Sequence, residues 1–404
     1  MRILSIHNAY KIRGGEDVSA AAEQNLLRSY GHEVDVYEES NDQIDQIPSA
    51  QLAMRTLWSR QSYKIVTEKL RARPYDIVHV QNFFPLISPS IYYAAKAEKV
   101  PVVQTLRNYR LLCPNALFFR EGKVCEDCLG KAIPYSGIVH SCYREDAIAS
   151  AAVTAMISSH RFLKTWSNAV DCYITLTQFA QQKMIEGGLP ANKVVVKPNF
   201  VDPEPQLGTG TGGYAIYVGR LSVEKGIDTL LAAWEKLETP IPLKIVGDGP
   251  LSGLVVEAAQ QQPHIEWLGR RPMSEVHSLM GEALFSVFPS KWYETFGRVA
   301  IEAFATGTPV MAARIGAIAE LVKPGYTGWH FEPGDADSLA AQIDTALNYP
   351  EKLSQMRRNA RAEFEAHYTG KQNYRQLIDI YNRVLKGEVH TAQFTNLASS
   401  QTSL

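Results

Sequence analysis

The chain has 404 residues, 45% of them hydrophobic and 21% charged, with a formal net charge of −1. That length exceeds one ordinary core and predicts two domains of roughly 200 residues each, with the composition of a globular protein. The near-neutral charge gives no whole-molecule attraction to nucleic acid. No run approaches the roughly 18–20 apolar residues that span a bilayer, and the opening MRILSIHNAYKIRGGE lacks a secretory cleavage pattern. The expectation is a cytoplasmic protein, with contact at the cytoplasmic face of the membrane left open.

In chain order, Val- and Ile-rich runs at 2–8, 33–40, 76–82, 100–108, 171–177 and 193–199 predict strands, and stretches such as 16–30 and 144–167 predict helices between them. Strands spaced by helices imply parallel βαβ units with both sheet faces covered. Residues 201–213, rich in Gly, Pro and Thr, predict a linker. The pattern then restarts with strands at 214–220, 243–249, 265–270, 285–290 and 309–314. The helix after the first of these sets Ile227, Leu230, Leu231, Trp234 and Leu237 on one apolar stripe. The expected organisation is therefore an N-terminal unit over 1–200, the linker, a C-terminal unit over 214–370, and a last helix near 371–386 packing back on the first unit. Residues 389–404 have little to bury and are expected to be disordered. In such sheets ligands lie beyond the carboxyl ends of the strands, so the cleft between units is the expected site.

YVGRLSVEKG (217–226) ends a strand at Gly219 and places Arg220 and Lys225 around a turn before a helix. Two cations at a helix N-terminus suit a diphosphate, because Arg grips two oxygens, Lys adds a point charge and the helix dipole reinforces both. A solvated Arg and Lys on a loop explain the same letters. GDGP (247–250) puts Gly249 at another strand end, where the backbone approaches a ligand or simply turns. PSKWYETFGRVAIEAFATGTPV (289–310) sets Glu294 in a loop and Glu302 inside the helix that follows. Ionised carboxylates only accept hydrogen bonds, so Glu294 suits sugar or ribose hydroxyls, while the N–H groups of Phe296 and Gly297 can meet phosphate. Equally, Glu294 could complement the helix dipole while Glu302 faces water.

GRLSVEKGIDTL, IVGDGP, PSKWYETFGRVAIEAFATGTPV and GWHFEPGD resemble, in order and spacing, the retaining glycosyltransferases of family 4. These have the GT-B fold, an α/β architecture of two doubly wound Rossmann-like parallel-sheet domains facing each other across a cleft. GGE (14–16), DIVHVQNFFPLISPSIYYAAK and NYRLLCPNALFF with CEDCLGK make the first half similar to a bacterial branch of that family involved in polysaccharide assembly. The resemblance implies transfer of a hexosyl residue from a UDP- or GDP-sugar to a glycan or lipid-linked saccharide. It implies that Arg220 and Lys225 hold the donor diphosphate, Glu294 the transferred sugar and Glu302 the ribose hydroxyls, with Gly15 closing over the phosphates. Gly219, Gly249, Thr295, Phe296 and Gly297 would line the nucleotide, and Arg271 would lie near the base. It further implies retention of anomeric configuration, with the leaving phosphate taking the acceptor's proton and no catalytic metal. The chain departs from the family at Gln81 and Arg107, where such enzymes often carry histidine. Arg107 cannot act as a base near neutral pH, so with Asn108 it is expected to bind acceptor or act electrostatically. A nucleotide-sugar epimerase of the same fold, or a catalytically silent scaffold that binds nucleotide sugars, fits the same letters.

Two features stand apart from this pattern. Cys113, Cys125, Cys128 and Cys142 follow the spacing C-x11-C-x2-C-x13-C, which suits a structural zinc, although a redox pair or reduced buried thiols would also account for it. Residues 54–74 mix Arg55, Arg60, Lys64, Lys69, Arg71 and Arg73 with Leu57, Trp58, Ile65 and Leu70. Such a basic amphipathic helix could lie on an anionic bilayer, or could pack its apolar side on the sheet.

Overall fold

The computed structural model describes residues 1–389; the expectation of a disordered tail falls, apart from Val389, outside them. The first half holds β1 (Arg2–Ala9), β2 (Glu33–Ser40), β3 (Ile77–Asn82), β4 (Val102–Thr105), a two-stranded hairpin of β5 (Phe119–Arg120) and β6 (Lys123–Val124), β7 (Cys172–Thr175) and β8 (Val194–Val196). The second half holds β9 (Ala215–Val218), β10 (Leu243–Val246), β11 (Ile265–Gly269), β12 (Phe285–Phe288), β13 (Val310–Ala313) and β14 (Gly328–Phe331). Two six-stranded sheets result, in the orders β2-β1-β3-β4-β7-β8 and β11-β10-β9-β12-β13-β14. Their pairings are parallel.

Parallel strands covered on both faces must be apolar on both. Ile3, Leu4 and Ile6 of β1, and Ile216, Tyr217 and Ile245 of β9 and β10, are accordingly buried. Each such side chain contributes about 1.5–3 kcal/mol by leaving water. In each sheet the strand order reverses at a central strand, β1 or β9, and chain crossings diverge there, opening a crevice at the carboxyl ends. In the first half the loops after β1, β3 and β4 border that crevice. In the second, the loops after β9 and β12 do.

The helix Gly370–Lys386 returns to the first sheet. Its stripe Leu377, Ile380, Tyr381 and Val384 packs on Ile3, Leu27, Ile77 and Val103, at the spacing of one helical face. Residues 201–213 do not hang free. Gly208, Gly210 and Gly212 donate to the carbonyls of Thr306, Gly281 and Glu282. A Cβ on Gly208 would sit 2.1 Å from the Gly281 backbone.

Residues 54–74 do not form one helix. Helix Ser49–Leu57 ends at Trp58, and Ser59, whose hydroxyl accepts from the Ser62 N–H at 3.1 Å, starts helix Arg60–Ala72. Val66 and Leu70 are buried in the first core, with Leu57, Tyr63 and Ile65 packed against it. Arg55 turns inward to Leu86 O and Glu39. The apolar side of the second helix thus packs on the first core, the second of the two readings the letters allow, and leaves a surface helix with an exposed basic side. Among the described residues no helix is long and apolar enough to cross a membrane.

Candidate active site

Lys225 ends a single turn, Val223–Lys225, closed by Gly226 at φ 71°. A Cβ at Gly226 would approach Pro289 O to 1.9 Å, so only glycine allows the β9 and β12 loops to touch there. Lys291 N–H donates to Glu224 O at 2.9 Å across the same contact. This locks Lys225 beside Glu294, and its ammonium pairs with Glu294 Oε1. The Ser290 hydroxyl (3.0 Å) and the Trp292 indole N–H (2.9 Å) donate to that same oxygen. Three donors on Oε1 fix the carboxylate of a residue only 8% exposed and direct Oε2 away from them. The Lys225 ammonium also lies 5.5 Å from the Trp292 ring centroid.

Gly297, at φ 102°, turns the chain into helix Arg298–Ala305. Among the described residues, no backbone acceptor meets the N–H groups of Phe296 or Gly297, while the Phe296 side chain is buried. Glu302 is buried and accepts from Arg298 Nε at 2.8 Å, one turn earlier. Arg298 reaches onward to the Ser19 hydroxyl of the first half at 3.1 Å. The halves also meet where Thr295 donates its hydroxyl to Arg107 O (2.8 Å) and where Glu320 accepts from the Gln178 and Phe179 N–H groups (2.9 and 2.8 Å).

Across this seam Arg107 is buried. Its guanidinium donates to Gln81 Oε1 through Nε (3.1 Å) and Nη2 (2.8 Å), and to Asn199 Oδ1 (2.8 Å). Gln81 in turn donates to Glu23 at 2.5 Å, and Glu23 pairs with the Lys197 ammonium at 2.9 Å. Burial pushes the Glu23 carboxyl up, but Lys197, His79 and Arg107 together hold it well below the usual range. Burial lowers His79 from its ordinary 6.5 to about 4, with Glu23 opposing. Its two ring nitrogens contact Thr105 (2.8 Å) and the Tyr381 hydroxyl of the last helix (2.6 Å). Asn108 donates to both oxygens of Glu16 (3.1 and 3.2 Å), and burial raises the Glu16 carboxyl pKa. A pocket beyond β3 and β4 is lined by Gln81, Gln104, Arg107, Asn108 and Arg110 among others.

The structure therefore joins Lys225 to Glu294, and Thr295 to Arg107, at the seam. Arg220 is exposed at the end of β9, and among the described residues no hydrogen bond or ion pair ties it to the Lys225–Glu294 pair. Gly15 is exposed at the start of helix Gly15–Ser29, with open space where a Cβ would point. Gly219 and Gly249 are constrained by their own neighbours. A Cβ on them would meet the Tyr217 hydroxyl at 2.8 Å and Leu221 O at 2.4 Å. Arg271 is exposed and pairs loosely with Glu275, in the first turn of helix Met273–Glu282, at 3.6 Å. Sequence reasoning gave no role to Glu16, Ser290, Trp292 or Arg298. Of these, Arg298 stands four residues before Glu302, a helical spacing legible in the letters.

The four cysteines Cys113, Cys125, Cys128 and Cys142 are free thiols lining one pocket. Burial, with Cys113 next in effect, pushes Cys128 up to about 12. Cys172 lies fully buried in β7.

The glycosyl transferases group 1 profile matches residues 203–363, and a glycosyl transferase 4-like domain profile matches 14–199. The chain belongs to this glycosyltransferase family. An uncharacterized glycosyltransferase of Methanocaldococcus jannaschii, MJ1178, is 29% identical over 215 residues, 53% of this chain and 60% of that protein. A glycogen synthase of Mycobacterium tuberculosis is 31% identical over 179 residues, 43% of each chain. The matched stretch is thus less than two thirds of either relative's length. The crystal structure of Anabaena HepE in complex with UDP and glucose superposes with a TM-score of 0.67 at 19% identity, covering 95% of this chain and 99% of that one. At that identity the likeness establishes the two-domain α/β fold.

Proposed function

We propose that this protein transfers a hexosyl residue from a nucleotide diphosphate sugar to a glycan or lipid-linked saccharide acceptor, with retention, in surface or exopolysaccharide synthesis. The observation that carries the reading is the Lys225–Glu294 pair, set between the β9 and β12 loops at the switch point and facing the Arg107 loop through Thr295. In this reading Lys225 and Arg220 stabilise the charge that develops on the leaving diphosphate, together with the N–H groups of Phe296 and Gly297. Glu294, with one oxygen saturated by three donors, offers the other to sugar hydroxyls. Glu302 exchanges Arg298 for ribose hydroxyls. Arg107, Asn108, Glu16 and Gln104 surround the acceptor. HepE, whose structure holds UDP and glucose, supports a uridine donor, and a guanosine donor is the alternative within the same chemistry.

The reading is tested by release of nucleotide from UDP- and GDP-sugars with and without added saccharide acceptors. Acceptor-dependent release, with product of the donor's anomeric configuration, is expected. Sugar interconversion without acceptor, or binding without turnover, would overturn it.

A further inference from the structure

We propose that Cys113, Cys125, Cys128 and Cys142 bind one structural zinc ion as four thiolates. Residues up to 29 positions apart in the chain, Cys113 to Cys142, come together around one pocket, all of them unbridged. The fifth cysteine, Cys172, is elsewhere, in the sheet core. Four soft sulfur donors with a central C-x2-C are the donor set and spacing of a closed tetrahedral zinc site.

As placed, burial raises the pKa values of Cys125, Cys128 and Cys142 and so favours their thiols, and a metal would have to displace those protons. The Cys128 thiol donates to Pro134 O at 3.8 Å, and the Asp127 and Gly137 backbone N–H groups lie beside the sulfurs of Cys125 and Cys128, where such groups stabilise metal-bound thiolates. Arg120 lines the same pocket, and its buried Nε has no acceptor among the described residues. Binding would release four protons and leave four thiolates on a dication, a net −2, beside an Arg120 guanidinium that already pairs with Asp127 at 2.9 Å. Gly137 lets the short helix Ser136–Val139 close on Cys113–Pro114, since a Cβ there would fall 2.6 Å from the Pro114 ring. As placed, no three His, Cys, Asp or Glu groups among the described residues stand in ligating array, so binding requires the thiols to turn inward.

The position gives such a site a task. The β5–β6 hairpin leaves the core just after Phe118, the buried anchor of its loop. Glu126, inside the C-x2-C turn, meets Lys183 at 3.1 Å and the Tyr293 hydroxyl. Tyr293 immediately precedes Glu294 and packs on Phe179 with ring centroids 4.8 Å apart. A zinc-clamped turn would hold Glu126 against the loop that carries Glu294 at the seam between halves.

The test is elemental analysis of the full chain prepared without chelator, with thiol titration in denaturant before and after chelation. Close to one zinc per chain, and five titratable thiols only once zinc is removed, is the expected result. The Cys125→Ser/Cys128→Ser double variant should lose zinc several-fold or more, whereas Cys172→Ala should keep it. Cobalt substitution should give thiolate charge-transfer bands of a tetrahedral site. Metal-free protein with five free thiols, a disulfide among the four, or zinc retained by the double variant would each overturn the proposal. None of these readouts depends on sugar transfer.

Discussion

The two halves repeat one architecture and place their charges in opposite ways. In the first half Glu23, Lys197 and His79 are sealed in the interior and tied to the last helix through Asn373 and Tyr381, while Gln81 joins Glu23 to Arg107 at the wall of the pocket beyond β3 and β4. In the second half the partly exposed cations Lys225 and Arg298 pair with the buried carboxylates of Glu294 and Glu302, on the β9 and β12 loops and the helix that follows. A buried pair is costly to break because the remaining ion has lost its water, whereas a cation at the cleft edge can change partners. The first half thus holds a fixed electrostatic floor and the second supplies groups that can exchange partners for a ligand.

The sharpest way to break that contrast is Lys197→Met. It leaves Glu23 buried without its ammonium, and stability should fall by about 3–5 kcal/mol in chemical denaturation. A change below about 1 kcal/mol would mean the network is not structural. Next comes Lys225→Ala. Here the rate of transfer should fall about 100-fold or more, while stability changes less than in Lys197→Met; an unchanged rate would remove Lys225 from the mechanism.

A pH series sharpens the first half further. His79 has a folded pKa lowered to about 4 from 6.5. The folded state therefore holds fewer protons at this site, and its stabilising contribution is complete above pH 6.5 and lost as pH falls from there toward 4. Glu23, also depressed, adds a loss that begins below the ordinary carboxylate pKa. Denaturation midpoints between pH 7 and 4 should fall, and the fall should be shallower in His79→Gln; parallel curves would contradict the assignment. The smallest effect is expected from Arg271→Ala, an exposed pair worth at most about 0.5 kcal/mol. A large loss of nucleotide affinity in that variant would instead support its inferred place near the base.

How much of this was legible follows from the same contrast. The strands of both sheets announce themselves as Val and Ile runs, because parallel strands buried on both faces must be apolar throughout. The hairpin Phe119–Val124 has two residues per strand, and β14 reads GWHF, too short and mixed for periodicity to register. The break at Trp58–Ser59 had a local signal, a serine able to cap, which the continuous amphipathic pattern of 54–74 masked. In the second half Lys225 and Glu294 sit in loops whose letters already suggested anion and hydroxyl chemistry. In the first half, Glu23 and Lys197 are 174 positions apart. Nothing local marks either as buried, because their pairing is set by the packing of the first helix against β8 and the last helix. The same holds for Gln81 and Arg107. As departures from a family they looked like isolated changes, but the fold makes them neighbours, the amide joining the guanidinium to Glu23.

A crystal structure with an intact nucleotide sugar bound tests the central claim most directly. The account predicts the diphosphate in contact with the Arg220 and Lys225 side chains and the Phe296 and Gly297 N–H groups, the sugar hydroxyls on Glu294, and the ribose on Glu302. A nucleotide bound away from the β9 and β12 loops, or a diphosphate that makes no contact with Lys225, would contradict it.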